Sequence, residues 1–102
     1  MSTIVEHIGV PALLEQTAEE CCELAQACLK MARKIRDENP TPKSIEDIRD
    51  GLVEEAADVE LCLELLEFET KLLSYIEVDR IMEEKKARWV NRLELSMDLE
   101  EE

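Results

Sequence analysis

The stretch from Asp50 to Leu66 constrains this chain most, because it predicts one helix that carries acids on its apolar side. Its strong apolar residues recur at helical spacing and share a single arc: Ile48, Leu52, Val59, Leu63 and Leu66. Glu55 and Asp58 project from that same side. Carboxylates set into an apolar stripe cost free energy unless another group neutralises their charge. The pair therefore predicts a binding partner.

Three long helices are predicted along the chain, and their approximate bounds are Pro11–Asp37, Ser44–Glu67 and Tyr75–Glu94. The first is indicated by small and apolar residues at helical spacing: Leu14, Ala18, Cys21, Ala25, Cys28, Ala32 and Ile35. Ser44 and Ser74 are candidate N-caps of the other two. Aromatic residues make up only 3% of the chain, which favours helices over sheets. We expect an all-α antiparallel bundle of three long helices with short helical segments.

The chain has 102 residues, which is enough for one domain with one core. We expect a single domain over residues 1–102, with a lead-in over about 1–10 and a solvated acidic tail over about 97–102. A core built from Leu, Ala and Cys in so short a chain is thin. Burial between subunits would add to it, so we expect a homodimer or homotetramer.

The formal net charge of −14 argues against binding to nucleic acid or to an anionic membrane, since both need a positive surface. No apolar run is long enough to span a bilayer, and Met1–His7 lacks the regions of a signal peptide. The four cysteines fit reduced thiols that serve as small core residues: Cys21, Cys22, Cys28 and Cys62. We therefore expect a cytoplasmic protein.

The first long helix carries a second acid pair, Glu20 and Glu23. These residues are three positions apart, so their Cβ atoms lie roughly 5–6 Å from each other on adjacent turns. They border an apolar arc formed by Leu13, Leu24 and Met31. A short connection makes the first two helices antiparallel neighbours, at an interaxial distance of about 8–10 Å. We therefore expect the four carboxylates to converge.

Such a cluster must take up protons, pair with Lys or Arg, or hold a cation, because two charges about 4 Å apart repel by about 4 kcal/mol at an effective dielectric constant of about 20. Oxygen-only ligands favour Mg²⁺ or Mn²⁺. A single His7 and the lack of a Glu-x-x-His pair argue against a di-iron centre. The competing interpretation is that all four acids are solvated residues on wide polar faces.

The two acidic blocks together resemble a known family. Glu-Glu-x-x-Glu on one helix, here Glu19–Glu23, is followed by Glu-x-x-Asp on the next, here Glu55–Asp58. This combination is similar to that of the MazG-like all-α nucleoside triphosphate pyrophosphatase superfamily. The resemblance covers roughly Leu13 to Arg92. Residues 24–54 form a longer insert between the blocks than is usual in the family.

The resemblance implies Mg²⁺-dependent hydrolysis of a (d)NTP between its α- and β-phosphates, which gives a nucleoside monophosphate and pyrophosphate. Its implied metal ligands are Glu20, Glu23, Glu55 and Asp58. Glu19 would orient or deprotonate the attacking water. Related activities within the same fold are dUTP or dCTP hydrolysis and phosphoribosyl-ATP hydrolysis. From another class, the competitor is a non-catalytic helical interaction module.

Phosphoryl chemistry also needs cationic side chains. Lys85 shares a helix face with Val78, Met82 and Trp89, and Arg88 and Arg92 lie beside it. These three cations are candidate substrate-binding residues, although long side chains that cover an apolar seam would show the same pattern. Lys30 and Lys34 are weaker candidates, because favourable charge at a helix C-terminus explains them.

Overall fold

A computed structural model describes residues 2–38 and 42–93, which are helical over most of their length. The elements are α1 (Ile4–Ile8), α2 (Val10–Arg36), α3 (Ile45–Leu65), a π-helical segment (Leu66–Thr70) and α4 (Tyr75–Arg92). No strand occurs within the described ranges. The predicted all-α class and the three long helices are confirmed, whereas the bundle arrangement and the oligomeric state stay predictions.

The chain divides into two compact units, Met1–Lys71 and Leu72–Glu102. The first unit contains α1, α2, α3 and the π-helical segment, and the second contains α4. A single domain over residues 1–102 stays a prediction. The predicted acidic tail over residues 97–102 lies outside the described residues.

The lead-in predicted before residue 10 folds in part as the short helix α1. Thr3 and Glu6 form a capping box, in which each side chain accepts a hydrogen bond from the other residue's backbone N–H. Gly9 has a φ of 85°, a left-handed conformation that suits glycine. It ends α1 and precedes Pro11 in the first turn of α2.

Helices α2 and α3 pack together as a hairpin and form the core of the first unit. Its buried apolar residues are Leu13, Ile48, Val59, Cys62 and Leu66. The Ser44 hydroxyl accepts a hydrogen bond from the Asp47 N–H and so caps α3 as predicted. The apolar arc predicted on α3 is buried or half-buried throughout, which confirms the side on which Glu55 lies.

The periodic stripe that predicted α2 is not the face that this helix buries. Leu14, Ala18, Cys21, Ala25 and Cys28 are all exposed. The face that is buried or half-buried lies one position away, at Leu13, Thr17, Glu20, Leu24, Ala27 and Met31. A helix that is apolar on two sides needs a second surface to cover the other side.

The cysteines correct one prediction. Cys62 is a buried core residue, but Cys21, Cys22 and Cys28 are exposed, and all four are free thiols. The physical reason is the orientation of α2, whose small-residue stripe points away from α3.

Candidate metal centre

The four acids that the sequence singled out come together between α2 and α3. Each of Glu20, Glu23, Glu55 and Asp58 offers one carboxylate oxygen, and these oxygens all lie within 4.8 Å of one another. Glu20 and Glu23 on α2, like Glu55 and Asp58 on α3, are three positions apart. The members of each pair therefore lie on adjacent turns of one helix face. Antiparallel packing then brings the middle of α2 against the middle of α3. The predicted convergence of the two acidic pairs is confirmed.

The cluster disturbs the protonation of Glu20. A side-chain hydrogen bond to Glu23 is the main cause that raises the pKa of Glu20 from its usual 4.5 to about 7. Loss of hydration and the negative charges of Asp58, Glu23 and Glu55 raise it further. Near neutral pH, and without a bound cation, Glu20 is therefore protonated part of the time.

Glu55 is the less hydrated member of the α3 pair. Desolvation is the main cause that raises its pKa, followed by a side-chain hydrogen bond to Glu23 and by neighbouring negative charge. Its Oε2 atom is buried and has no hydrogen-bond partner among the described residues. Buried polar atoms are normally satisfied, so a buried carboxylate oxygen without a partner is unusual.

These observations fit a hard divalent cation. Carboxylate oxygens are the ligands that Mg²⁺ and Mn²⁺ prefer, and Mg²⁺ typically takes a few carboxylates and completes its shell with water and phosphate oxygens. Glu55, a member of this cluster, carries a buried oxygen without a hydrogen-bond partner. No salt bridge to a described Lys or Arg neutralises any of the four acids.

Glu19 does not join this set of converging oxygens. It is exposed on α2, and its side chain lies about 100° around the helix from that of Glu20. The assignment of Glu19 to the attacking water stays a prediction.

A cavity of about 640 Å³ opens beside the carboxylates, between the second half of α2 and the first half of α3. Glu23 and Glu55 belong to both the cluster and the wall of this cavity. Lys30, Arg33 and Lys43 also line it. Of these three cations, only Lys30 is among the substrate-binding candidates that the sequence indicates, as a weaker one. Arg33 and Lys43 are not among those candidates.

One signal could have found two of these cations. Positions 23, 26, 27, 30 and 33 follow the three- and four-residue steps of a single helix face, so they extend the acidic face of α2 toward its C-terminus. The pattern is easily overlooked, because basic residues are favourable near any helix C-terminus. Lys30 and Arg33 can therefore be explained without a ligand.

The cations predicted on α4 lie in the second unit. Lys85, Arg88 and Arg92 line a cavity of about 670 Å³ together with Trp89 and Asn91. Their grouping on one helix face is as predicted. Their role in binding substrate stays a prediction.

The fold and site define a class of chain: an all-helical protein with four carboxylates converging between two packed helices. Comparison with protein-family models, curated proteins and solved structures finds no match. Among the described residues, no helix is both long and apolar enough to cross a membrane.

Proposed function

We propose that this chain is a Mg²⁺-dependent nucleotide pyrophosphohydrolase, which cleaves a (d)NTP between its α- and β-phosphates. The observation that carries the proposal is the convergence of Glu20, Glu23, Glu55 and Asp58 within 4.8 Å. The resemblance of the two acidic blocks to the MazG-like superfamily supplies the reaction. Mn²⁺ is a second metal that the same oxygen ligands suit.

The buried Oε2 of Glu55 supports metal binding over simple solvation of the acids. A solvated carboxylate hydrogen-bonds to water through both oxygens, whereas this oxygen is withdrawn from the surface. The raised pKa of Glu20 agrees with this, because the hydrogen bond to Glu23, loss of hydration and the negative charges of its neighbours all favour its neutral form.

In this proposal the four carboxylates would hold the metal, which would offset negative charge on the phosphates and acidify water. A proton held by Glu20 would have to leave before its carboxylate could act as a ligand. Glu19, one position from the cluster, orients or deprotonates the attacking water.

We further propose that the chain works as a homodimer or homotetramer. The exposed small and apolar stripe on α2 supports this, because a second subunit would cover it: Leu14, Ala18, Cys21, Ala25 and Cys28. The same stripe favours a second candidate function, a helical interaction module without catalysis. Four free thiols, which persist in a reducing compartment, support a cytoplasmic location.

A direct assay separates the enzyme from the interaction module. The purified chain is incubated with a panel of (d)NTPs, dUTP, dCTP and phosphoribosyl-ATP included, with Mg²⁺ or with EDTA, and pyrophosphate is measured. We expect Mg²⁺-dependent release that is lost in Glu20→Gln and in Glu55→Gln. The matched control is Glu60→Gln, which removes an exposed acid of α3 and should leave the rate unchanged.

Two results would contradict the enzyme. Wild-type protein that releases pyrophosphate from no nucleotide would leave the interaction module as the better account. Activity that survives both Glu20→Gln and Glu55→Gln would place the chemistry outside the cluster.

A further inference from the structure

The cavity beside the metal centre is lined by both acids and cations. Glu23 and Glu55 belong to the carboxylate cluster, whereas Lys30, Arg33 and Lys43 lie away from it, together with Asp47. Along α2, Lys30 is seven positions beyond Glu23, a rise of about 10 Å, and Arg33 is ten positions beyond it, about 15 Å. The cations therefore extend away from the carboxylates in one direction along the groove.

These cations have no partner within the part of the chain that the structure describes. Lys30, Arg33 and Lys43 are exposed and form no salt bridge with a described acid. The chain has 26 acidic residues and only 12 basic ones, so three unpaired cations on one groove are a notable concentration of scarce positive charge. An anionic ligand would satisfy them.

The floor of the groove is kept open by a glycine. Gly51 lines the cavity, and a Cβ atom built on it would meet nothing within 4 Å. Glycine in the interior of a helix is less favourable than alanine. The space in front of Gly51 is therefore room for a ligand rather than a close contact that excludes a side chain.

We propose that this groove binds the phosphate chain of the substrate, with Lys30, Arg33 and Lys43 as its phosphate-binding residues and Gly51 as the residue that keeps the path open. The proposal rests on the proposed function for its metal-bound end. It adds the direction in which the phosphate chain lies, from the carboxylates toward the cations. It also adds a substrate class, compounds with several linked phosphates, because only these can reach both groups of residues. One isolated phosphate group cannot engage both.

Side-chain direction supports this arrangement. Side chains on a helix tilt toward its N-terminus, so Lys30 and Arg33 lean back along α2 toward Glu23. Lys43 precedes α3 and approaches from the other side of the groove. The cations thus line the groove from α2 and from the segment before α3, and Arg33 offers the planar fork of donors that suits phosphate oxygens.

Calorimetry with inorganic phosphates tests the proposal without a nucleobase. Tripolyphosphate and orthophosphate are titrated into the full chain with Mg²⁺ and with EDTA. We expect tripolyphosphate with Mg²⁺ to bind at least about tenfold more tightly than orthophosphate. Each of Lys30→Gln, Arg33→Gln and Lys43→Gln should weaken binding by about two- to fivefold, the range of exposed charge pairs.

Matched variants make the result specific. Arg36→Gln removes an exposed cation from the same helix end, and Arg49→Gln removes one from α3, but neither residue lines the cavity. Both should bind tripolyphosphate like wild type. Gly51→Met should fill the groove and weaken binding by more than about fivefold, while retained helical circular dichroism shows that the hairpin still folds.

The outcomes separate this proposal from the proposed function. If no nucleotide is hydrolysed but tripolyphosphate binding depends on the three cations, the proposed hydrolase activity is contradicted. The proposed phosphate-binding groove is then still supported. If nucleotides are hydrolysed but a variant that combines Lys30→Gln, Arg33→Gln and Lys43→Gln binds tripolyphosphate as tightly as Arg36→Gln does, the phosphate-binding groove is contradicted and the proposed hydrolase activity is not. Wild-type protein that binds no tripolyphosphate also overturns the groove.

Discussion

Glu23 of α2 and Glu55 of α3 meet across the helical hairpin, and each lies in both the carboxylate cluster and the wall of the neighbouring cavity. This shared pair joins a candidate metal centre to a groove lined at its far end by cations. The carboxylate cluster and the cation-lined groove therefore form one candidate site.

The raised pKa of Glu20 predicts that the metal-free protein loses stability as pH rises. Between the usual value of 4.5 and about 7, the folded chain holds a proton that the unfolded chain has released. The free energy of unfolding therefore falls as pH rises through this window. Thermal melting in EDTA between pH 5 and pH 8 measures the effect. Glu20→Gln should flatten the dependence.

The control for that experiment is Glu60→Gln, because general repulsion in a chain of net charge −14 also grows with pH. This variant should retain the wild-type dependence. An equally steep dependence in Glu20→Gln would show that the cluster does not hold the proton.

Metal binding should displace protons from the cluster. Both Glu20 and Glu55 have raised pKa values, and a ligand carboxylate must lose its proton. The affinity for Mg²⁺ or Mn²⁺ should therefore rise with pH up to about 7, by up to about tenfold per pH unit for each proton displaced. Calorimetry in buffers of different ionisation enthalpy counts these protons. Binding that releases none would place the ion elsewhere.

Gly51→Ala should stabilise the fold. Residue 51 lies inside α3, its φ is not positive, and an added Cβ meets nothing within 4 Å. Helix propensity then predicts a gain of about 1 kcal/mol in the free energy of unfolding. Urea denaturation in EDTA measures it, with Ala57→Gly on the exposed side of the same helix as the reverse change. A loss of stability in Gly51→Ala would mean that the added methyl group collides with a neighbouring atom and that the space in front of residue 51 is not open.

The exposed stripe of α2 predicts self-association. Ala25 lies in the middle of this stripe and is exposed, so Ala25→Arg should place a large charge in a subunit interface and shift the chain to monomer. Light scattering after size-exclusion chromatography gives the mass of the species. Glu54→Arg, on the exposed side of α3, is the control. Wild-type protein that is monomeric at all concentrations would contradict the prediction.

Local spacing was enough to predict the acidic cluster. Glu20 with Glu23 and Glu55 with Asp58 each sit at a three-residue step next to apolar residues, and a short connection forces antiparallel packing. The bounds of α2, α3 and α4 were predictable for a similar reason, since proline, serine caps and helical periodicity act locally. Those features need no knowledge of distant contacts.

The buried face of α2 could not be chosen from spacing alone. Leu13 and Leu14 are adjacent, yet Leu13 is 1% exposed and Leu14 is 46% exposed. Both belong to plausible helical stripes, and only the docking of α3 decides between them. The cationic groove depends on the same docking, because Lys43 reaches the cavity through the register of α3 against α2.

The end of α3 shows the same dependence on distant contacts. The helix is predicted to end near Glu67, but the chain continues into a π-helical segment at Leu66–Thr70. Glu69 in this segment accepts a hydrogen bond from the Val5 N–H of α1 at 2.9 Å. A contact across 64 positions has no local signature.

The central claim is that one divalent cation binds among the carboxylates of Glu20, Glu23, Glu55 and Asp58. Anomalous diffraction from crystals grown with Mn²⁺ tests it most directly. The account predicts a peak enclosed by these four side chains, and its loss in a Glu20→Gln/Glu55→Gln variant. Ordered Mn²⁺ only at other acids, with the four carboxylates facing solvent, would contradict it.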